Sequence, residues 1–172
     1  MPRFAVLLRG VNVGKSNRVP MAKFKAMLQG LGYTEVATLL NSGNAVFNGP
    51  GRSAAQHAQA IASALAASMG VSVPVVVKSA AELAAAVASN PLPVPEPDQS
   101  RFLVAFANDQ AALQSLGSLQ PLVQPPESLV VGPHAAYFHC AAGILESKVG
   151  AALLGKPGQR VTTRNWATTL KL

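Results

Sequence analysis

With 172 residues and a net charge of +7, the chain is long enough for one large or two small domains with a sizeable core, and its charge balance points to anionic partners. Hydrophobic residues make up 49%, yet thirty of them are alanine, and the longest run of bulky apolar residues, Phe4 to Leu8, is five long. That excludes a transmembrane helix or signal-peptide core and predicts a cytoplasmic protein with no membrane partner, while the single cysteine, Cys140, excludes an internal disulfide and a cysteine-built zinc site.

Phe4 to Leu8 is continuously apolar, as a strand covered on both faces must be, so it is expected at the centre of its sheet. The next stretch, Arg9 to Pro20, is a wholly cationic loop with two glycines and two asparagines that tolerate positive φ, three positive charges, and a proline suited to a helix start. Gly14-Lys15-Ser16 resembles the end of a nucleotide-hydrolase phosphate loop. The spacing fails by one residue, since the leading glycine would fall where Arg9 stands. Met21, Phe24, Leu28 and Leu31 then recur at helical spacing, and Gly30 and Gly32 stop the helix.

Tyr33 to Leu40 alternates, and Asn41-Ser42-Gly43-Asn44 turns the chain into Ala45-Val46-Phe47, which is a hairpin. Ser53 and Gln56 form a capping box for a helix lined by Ile61, Leu65 and Met69 and closed by Gly70, with His57 on the same stripe as a partly buried structural histidine rather than a ligand. Val71 to Lys78 carries Pro74 and is therefore an edge strand. The order strand, helix, strand, strand, helix, strand is the ferredoxin-like split βαβ arrangement.

Ser79 and Glu82 cap a short helix, after which Pro91, Pro93, Pro95 and Pro97 force an extended connection. Beyond it the pattern repeats. Phe102 to Phe106 is an apolar strand, Asn108-Asp109 caps a helix carrying Leu113 and Leu116, and Leu129 to Val131 pairs with Ala136 to Cys140 across Gly132-Pro133. Ser147 starts a short helix, and the segment 162–172 predicts a terminal helix with a Thr cap, docked by Trp166. The expected protein is α+β: two ferredoxin-like βαββαβ-type halves at 1–90 and 101–172, a proline-rich linker at 91–100, and a C-terminal helix.

Residues 1–25 and 147–172 hold eleven of the fourteen Lys and Arg and none of the seven acids. If both ends meet they form one cationic face. The candidate anion-binding residues are Arg9, Asn12, Gly14, Lys15 and Arg18 in the loop, Ser42 and Asn44 in the hairpin turn, and Ser147, Lys148, Thr163, Arg164 and Asn165 toward the end. Amides at helix starts favour anions there.

Leu7-Leu8-Arg9-Gly10-Val11-Asn12-Val13-Gly14, Val19-Pro20-Met21, Ser42-Gly43-Asn44, Ser147-Lys148 and Thr163-Arg164-Asn165-Trp166 together resemble an uncharacterised bacterial family, the domain of unknown function 1697. The resemblance implies that the basic loop and the terminal motif belong to one pattern. It implies no activity, cofactor or substrate.

Catalytic constellations are sparse. The basic segments hold no acid pair, and His139 and Cys140 are adjacent in a strand and face opposite ways, so they make no dyad. Lys15 or Lys148 would suit a nucleophile or base, but nothing demands it, and neither a metal nor a cofactor is called for. Nucleic-acid backbone binding by Arg9, Lys15, Arg18, Lys148, Arg160 and Arg164 ranks first. A small phosphorylated or carboxylated ligand, bound or turned over between the first loop and the terminal helix, is the alternative, and a scaffold or protein-interaction role is the third.

Overall fold

In the computed structural model, which describes residues 2–12, 17–51, 53–140, 147–155 and 158–172, the apolar run becomes β1 (Arg3–Leu8). It pairs antiparallel with β3 (Asn44–Asn48) on one side and β4 (Val75–Ser79) on the other, and β2 (Thr34–Leu39) completes the order β2-β3-β1-β4. The continuous hydrophobicity is explained by burial on both faces. Phe4, Val6 and Leu8 join the core, while Ala5 and Leu7, pointing the other way, are also buried. Pro74 stands just before β4, the edge strand, as its missing N–H requires.

The core against β1, β3 and β4 is closed by α1 (Met21–Gly30), through Phe24 and Leu28, and by α2 (Ala54–Met69), through Ile61 and Leu65. Helix α2 begins at the expected reciprocal bonds between Ser53 and Gln56 and ends at Gly70 in the left-handed conformation, φ 63°. Helix α1 differs in detail. Pro20 is its N-cap rather than its first helical residue, and Leu31 lies past the last turn, 39% exposed instead of completing the apolar stripe.

His57 is fully buried in an aromatic cluster of Phe4, Tyr33 and Phe47, with Tyr33 stacked on Phe47 at 4.2 Å between centroids. Its tautomer follows from its neighbours. Nε2 lies 3.1 Å from the Pro50 carbonyl, which can only accept, so Nε2 carries the proton and Nδ1 accepts from the Tyr33 hydroxyl at 2.7 Å. Tyr33→Phe leaves that buried nitrogen without a donor, and equilibrium denaturation should show a loss of about 1–2 kcal/mol. A loss under a few tenths would mean that the bond contributes nothing net.

Helix α3 (Ala80–Ala88) starts at reciprocal bonds between Ser79 and Glu82. The chain forms two compact units, Met1–Leu83 and Ala84–Leu172, so residues 91–100, expected as the divider, fall within the second unit. The second half of that segment is a 3-10 helix, Glu96–Arg101.

The second unit repeats the first unit's topology. β5 (Phe102–Ala107) is central, flanked by β7 (Ala136–His139) and β8 (Val161–Asn165), with β6 (Ser128–Val131) at the far edge, in the order β6-β7-β5-β8. Helix α4 (Gln110–Gln114), capped by Asp109, runs into a 3-10 helix at Ser115–Leu122, and α5 (Lys148–Leu154) is capped by Ser147. Their core contains Leu103, Leu113, Leu116, Phe138 and Val149.

The chain end corrects the sequence reading. A terminal helix exists, α6 (Trp166–Lys171), but 161–165 form the eighth strand, paired along β5 from Ala107↔Val161 to Leu103↔Asn165. The β-branched run Val161-Thr162-Thr163 suits the edge position, and the cap passes from threonine to Asn165, whose Oδ1 accepts from the Thr168 amide at 2.8 Å. Among the described residues no helix is long and apolar enough to cross a membrane.

Candidate functional site

The segment that leaves β1 is fastened to the first unit at several points. Leu8 N–H donates to the Gly43 carbonyl at 2.9 Å, Arg9 N–H to the Pro74 carbonyl at 3.1 Å, and Asn12 N–H to the Asn17 carbonyl at 3.1 Å. Val11 and Val19, on either side of the excursion, are 2% and 0% exposed, so both stems are anchored in the core. Gly10, Asn12 and Asn17 take positive φ values of 69°, 57° and 50°, which is the conformational use expected of glycine and asparagine here.

Asn12 holds these pieces together. Its Nδ2 donates to the carbonyls of Val19 at 2.8 Å and Asn41 at 2.7 Å, and its Oδ1 accepts from Val19 N–H at 2.8 Å. One side chain thus pins the returning end of the loop and the β2–β3 turn at once. Both amide hydrogens are used in these bonds, which leaves the Asn12 side chain no free donor. The turn is built in the same way. Asn44 is fully buried and donates to the Leu39 carbonyl at 2.9 Å and the Ser42 hydroxyl at 2.7 Å.

Between loop and turn lies a small cavity of about 190 Å³ lined by Asn12, Arg18, Val19, Pro20 and Asn41. Arg18 is exposed and takes part in none of the three ion pairs found among the described residues. Arg9 is half-buried at the end of β1. Gly14 and Lys15 lie outside the described residues.

In the second unit the candidates do not make one surface. Ser147 is buried as the cap of α5, its hydroxyl accepting from Gly150 N–H at 3.1 Å, while Lys148 beside it is exposed. Thr163 is half-buried in β8. Arg164, expected at an exposed helix start, sits in the strand opposite Val104 at 7% exposure. Its Nη1 donates to the Thr162 hydroxyl and the Thr163 carbonyl, both at 2.8 Å, and burial pushes the guanidinium down to about 10, still charged at neutral pH. Arg160 pairs with Asp109 at 2.6 Å, and that carboxyl is held below its usual value first by the Ala112 amide and then by Arg160. Asn165 is occupied in capping α6.

Sequence reasoning missed the His139–Asp98 pair, 3.1 Å between Nε2 and Oδ2, because Asp98 comes from the 3-10 segment forty-one positions away. Cys140 is buried, and burial pushes its thiol up, which disfavours the thiolate.

A family described as "protein of unknown function (DUF1697)" matches residues 1–137. The chain belongs to that family. The DUF1697 match includes the β1–α1 loop, the β2–β3 turn and β5, and ends within β7, so Ser147-Lys148 and Thr163 to Trp166 lie beyond it. Among solved structures, "conserved bacterial protein SP0830 from Streptococcus pneumoniae" is similar to the chain at 25% identity and a TM-score of 0.81, covering 99% of this chain and 96% of that one. The same two-sheet α+β architecture is therefore found in that bacterial protein. No curated protein matches the chain.

Proposed function

We propose that the chain binds an anion at the first unit, in the cavity between the β1–α1 loop and the β2–β3 turn. The observation that carries this reading is Arg18, exposed and outside every ion pair among the described residues, on the rim of a concavity whose frame is fixed by Asn12. Charge supports it. Residues 1–83 hold eight basic and two acidic side chains and residues 84–172 hold six and five, so six of the seven net positive charges belong to the first unit.

A volume of about 190 Å³ is below the ~300 Å³ at which pockets begin to enclose drug-sized ligands, which suits one phosphate or carboxylate with a small body. Nucleic-acid backbone binding is the second reading, and the same concentration of charge favours it. Exposed Lys23 and Lys25 on α1 follow Arg18 closely and extend the basic surface. Against it, Arg164 is buried and Arg160 is paired, which removes two of the six cations expected to line a backbone track.

The test uses the full chain. Inorganic phosphate and a single-stranded oligonucleotide are titrated against wild type and Arg18→Ala. The variant should bind phosphate about ten- to a hundredfold more weakly, since a charge-assisted bond contributes roughly 1.5–3 kcal/mol, while its Tm stays within a degree because an exposed cation adds little stability. A steep logarithmic salt slope for the oligonucleotide, falling by about one in the variant, would promote the backbone reading. Wild type that binds neither probe would sink both.

A further inference from the structure

The second unit holds a row of polar side chains that the anion site does not use. The bond between His139 Nε2 and Asp98 Oδ2, 3.1 Å long, joins β7 to the 3-10 helix Glu96–Arg101. A carboxylate only accepts, so in the neutral ring Nε2 carries the proton and Nδ1 holds a lone pair. Across the ladder His139 is paired with Ser128 of β6. Directly opposite residues of an antiparallel pair project from the same face with Cβ atoms about 4.5–5.5 Å apart, which sets the serine hydroxyl beside the imidazole. Neither Nδ1 nor that hydroxyl is bonded to a described residue. No buried side-chain nitrogen or oxygen among those residues lacks a partner, so both atoms are open to solvent. The adjoining backbone adds a donor. The Leu129 carbonyl points to the outer edge of the sheet, where Gln120 Nε2 bonds it at 2.5 Å, and the N–H of a residue in an antiparallel strand points the same way as its carbonyl. The Leu129 N–H therefore faces outward next to Ser128, unused by the ladder.

We propose that these residues form a site for the hydrolysis of small carboxylic esters, with Ser128 as nucleophile, His139 as general base and Asp98 as the positioning residue that orients the ring. Ser128 Oγ bonds to the ester carbonyl carbon as its proton passes to Nδ1, and the Leu129 N–H meets the oxyanion. Collapse breaks the carbon–oxygen bond to the alcohol, which leaves with the proton from Nδ1. Water then repeats the sequence on the acyl-serine, releasing the acid and restoring the hydroxyl. This site does not depend on the anion-binding reading. If the His139–Asp98 bond served only to tie the 3-10 helix to β7, Ser128 would be no more reactive than any other serine.

The full chain is treated with a fluorophosphonate, the labelled residue is located by mass spectrometry, and p-nitrophenyl acetate reports turnover. Wild type should carry the label on Ser128 and release p-nitrophenol faster than buffer. Ser128→Ala should abolish both signals with Tm unchanged, since the hydroxyl it removes has no partner among the described residues. His139→Gln should slow labelling about a hundredfold or more, the usual contribution of a general base. Asp98→Asn should slow it as well and Asp98→Glu restore part of the rate, a change in Ser128 chemistry that a structural tie would not produce. An unlabelled Ser128 in wild type, labelling that is as fast in His139→Gln, or turnover that survives Ser128→Ala would overturn the proposal. The wild-type label is read without any substitution, so a variant that failed to fold would not remove the test.

Discussion

Gly43→Ala should destabilise the protein by about 3 kcal/mol or more, lowering Tm by roughly 6–12 °C in a chain of this size. Two effects add. Gly43 has φ 86°, where a side chain is strained, and a Cβ built there would stand 2.7 Å from Leu8 Cβ and 2.7 Å from Val11 Cγ2. Neither neighbour can yield, because Leu8 and Val11 are 0% and 2% exposed, and Leu8 N–H is bonded to the Gly43 carbonyl. Gly10→Ala is the internal control. Its φ of 69° carries the same kind of strain, but a Cβ there meets nothing within 4 Å, so it should cost only about 1 kcal/mol. Equal losses in the two variants would show that close approach of turn and strand does not matter.

What was legible in the sequence was whatever is decided locally. A five-residue apolar run meant a central strand, Ser53 with Gln56 and Ser79 with Glu82 meant helix starts, and Pro74 meant an edge; each depends on residues within a few positions. The repeated order of elements then implied two split βαβ halves, and both sheets have that strand order. The chain end was misread because Thr162, Thr163 and Asn165 all cap helices well, and only the pairing with β5, about sixty positions earlier, favours the strand. For the candidate site, composition named residues but did not disclose what each is bonded to. Asn12 looked like a ligand residue because asparagine suits a loop, whereas its partner Asn41 is twenty-nine positions away. Arg164 looked solvated because arginine usually is. In each case a long-range contact decided which of two ordinary uses of a residue applied.

The loop frame itself is tested at Asn12. Asn12→Asp keeps the shape of the side chain but replaces Nδ2, which donates at 2.8 Å to Val19 and 2.7 Å to Asn41, by an oxygen that faces two carbonyls. Two acceptors lose their donor and a negative charge is set against their dipoles, so the loss at neutral pH should be about 3–5 kcal/mol. The pH dependence identifies the cause. Opposing carbonyls raise the folded-state pKa of the new carboxyl above its unfolded value near ~3.9, so the folded form takes up a proton more readily than the unfolded one. The variant's deficit against wild type should therefore narrow as pH falls through the folded pKa, where the protonated acid again donates one bond, and reach its full size above it. Asn12→Ala lacks the charge and should show a smaller, pH-independent deficit. Because the clamp sets the cavity between loop and turn, Asn12→Asp should also abolish phosphate binding at neutral pH, and the negative charge beside Arg18 acts in the same direction. A deficit under about 1 kcal/mol, or one that does not change between pH 4 and pH 7, would mean that the two carbonyls find other donors and that the loop is not held by this side chain.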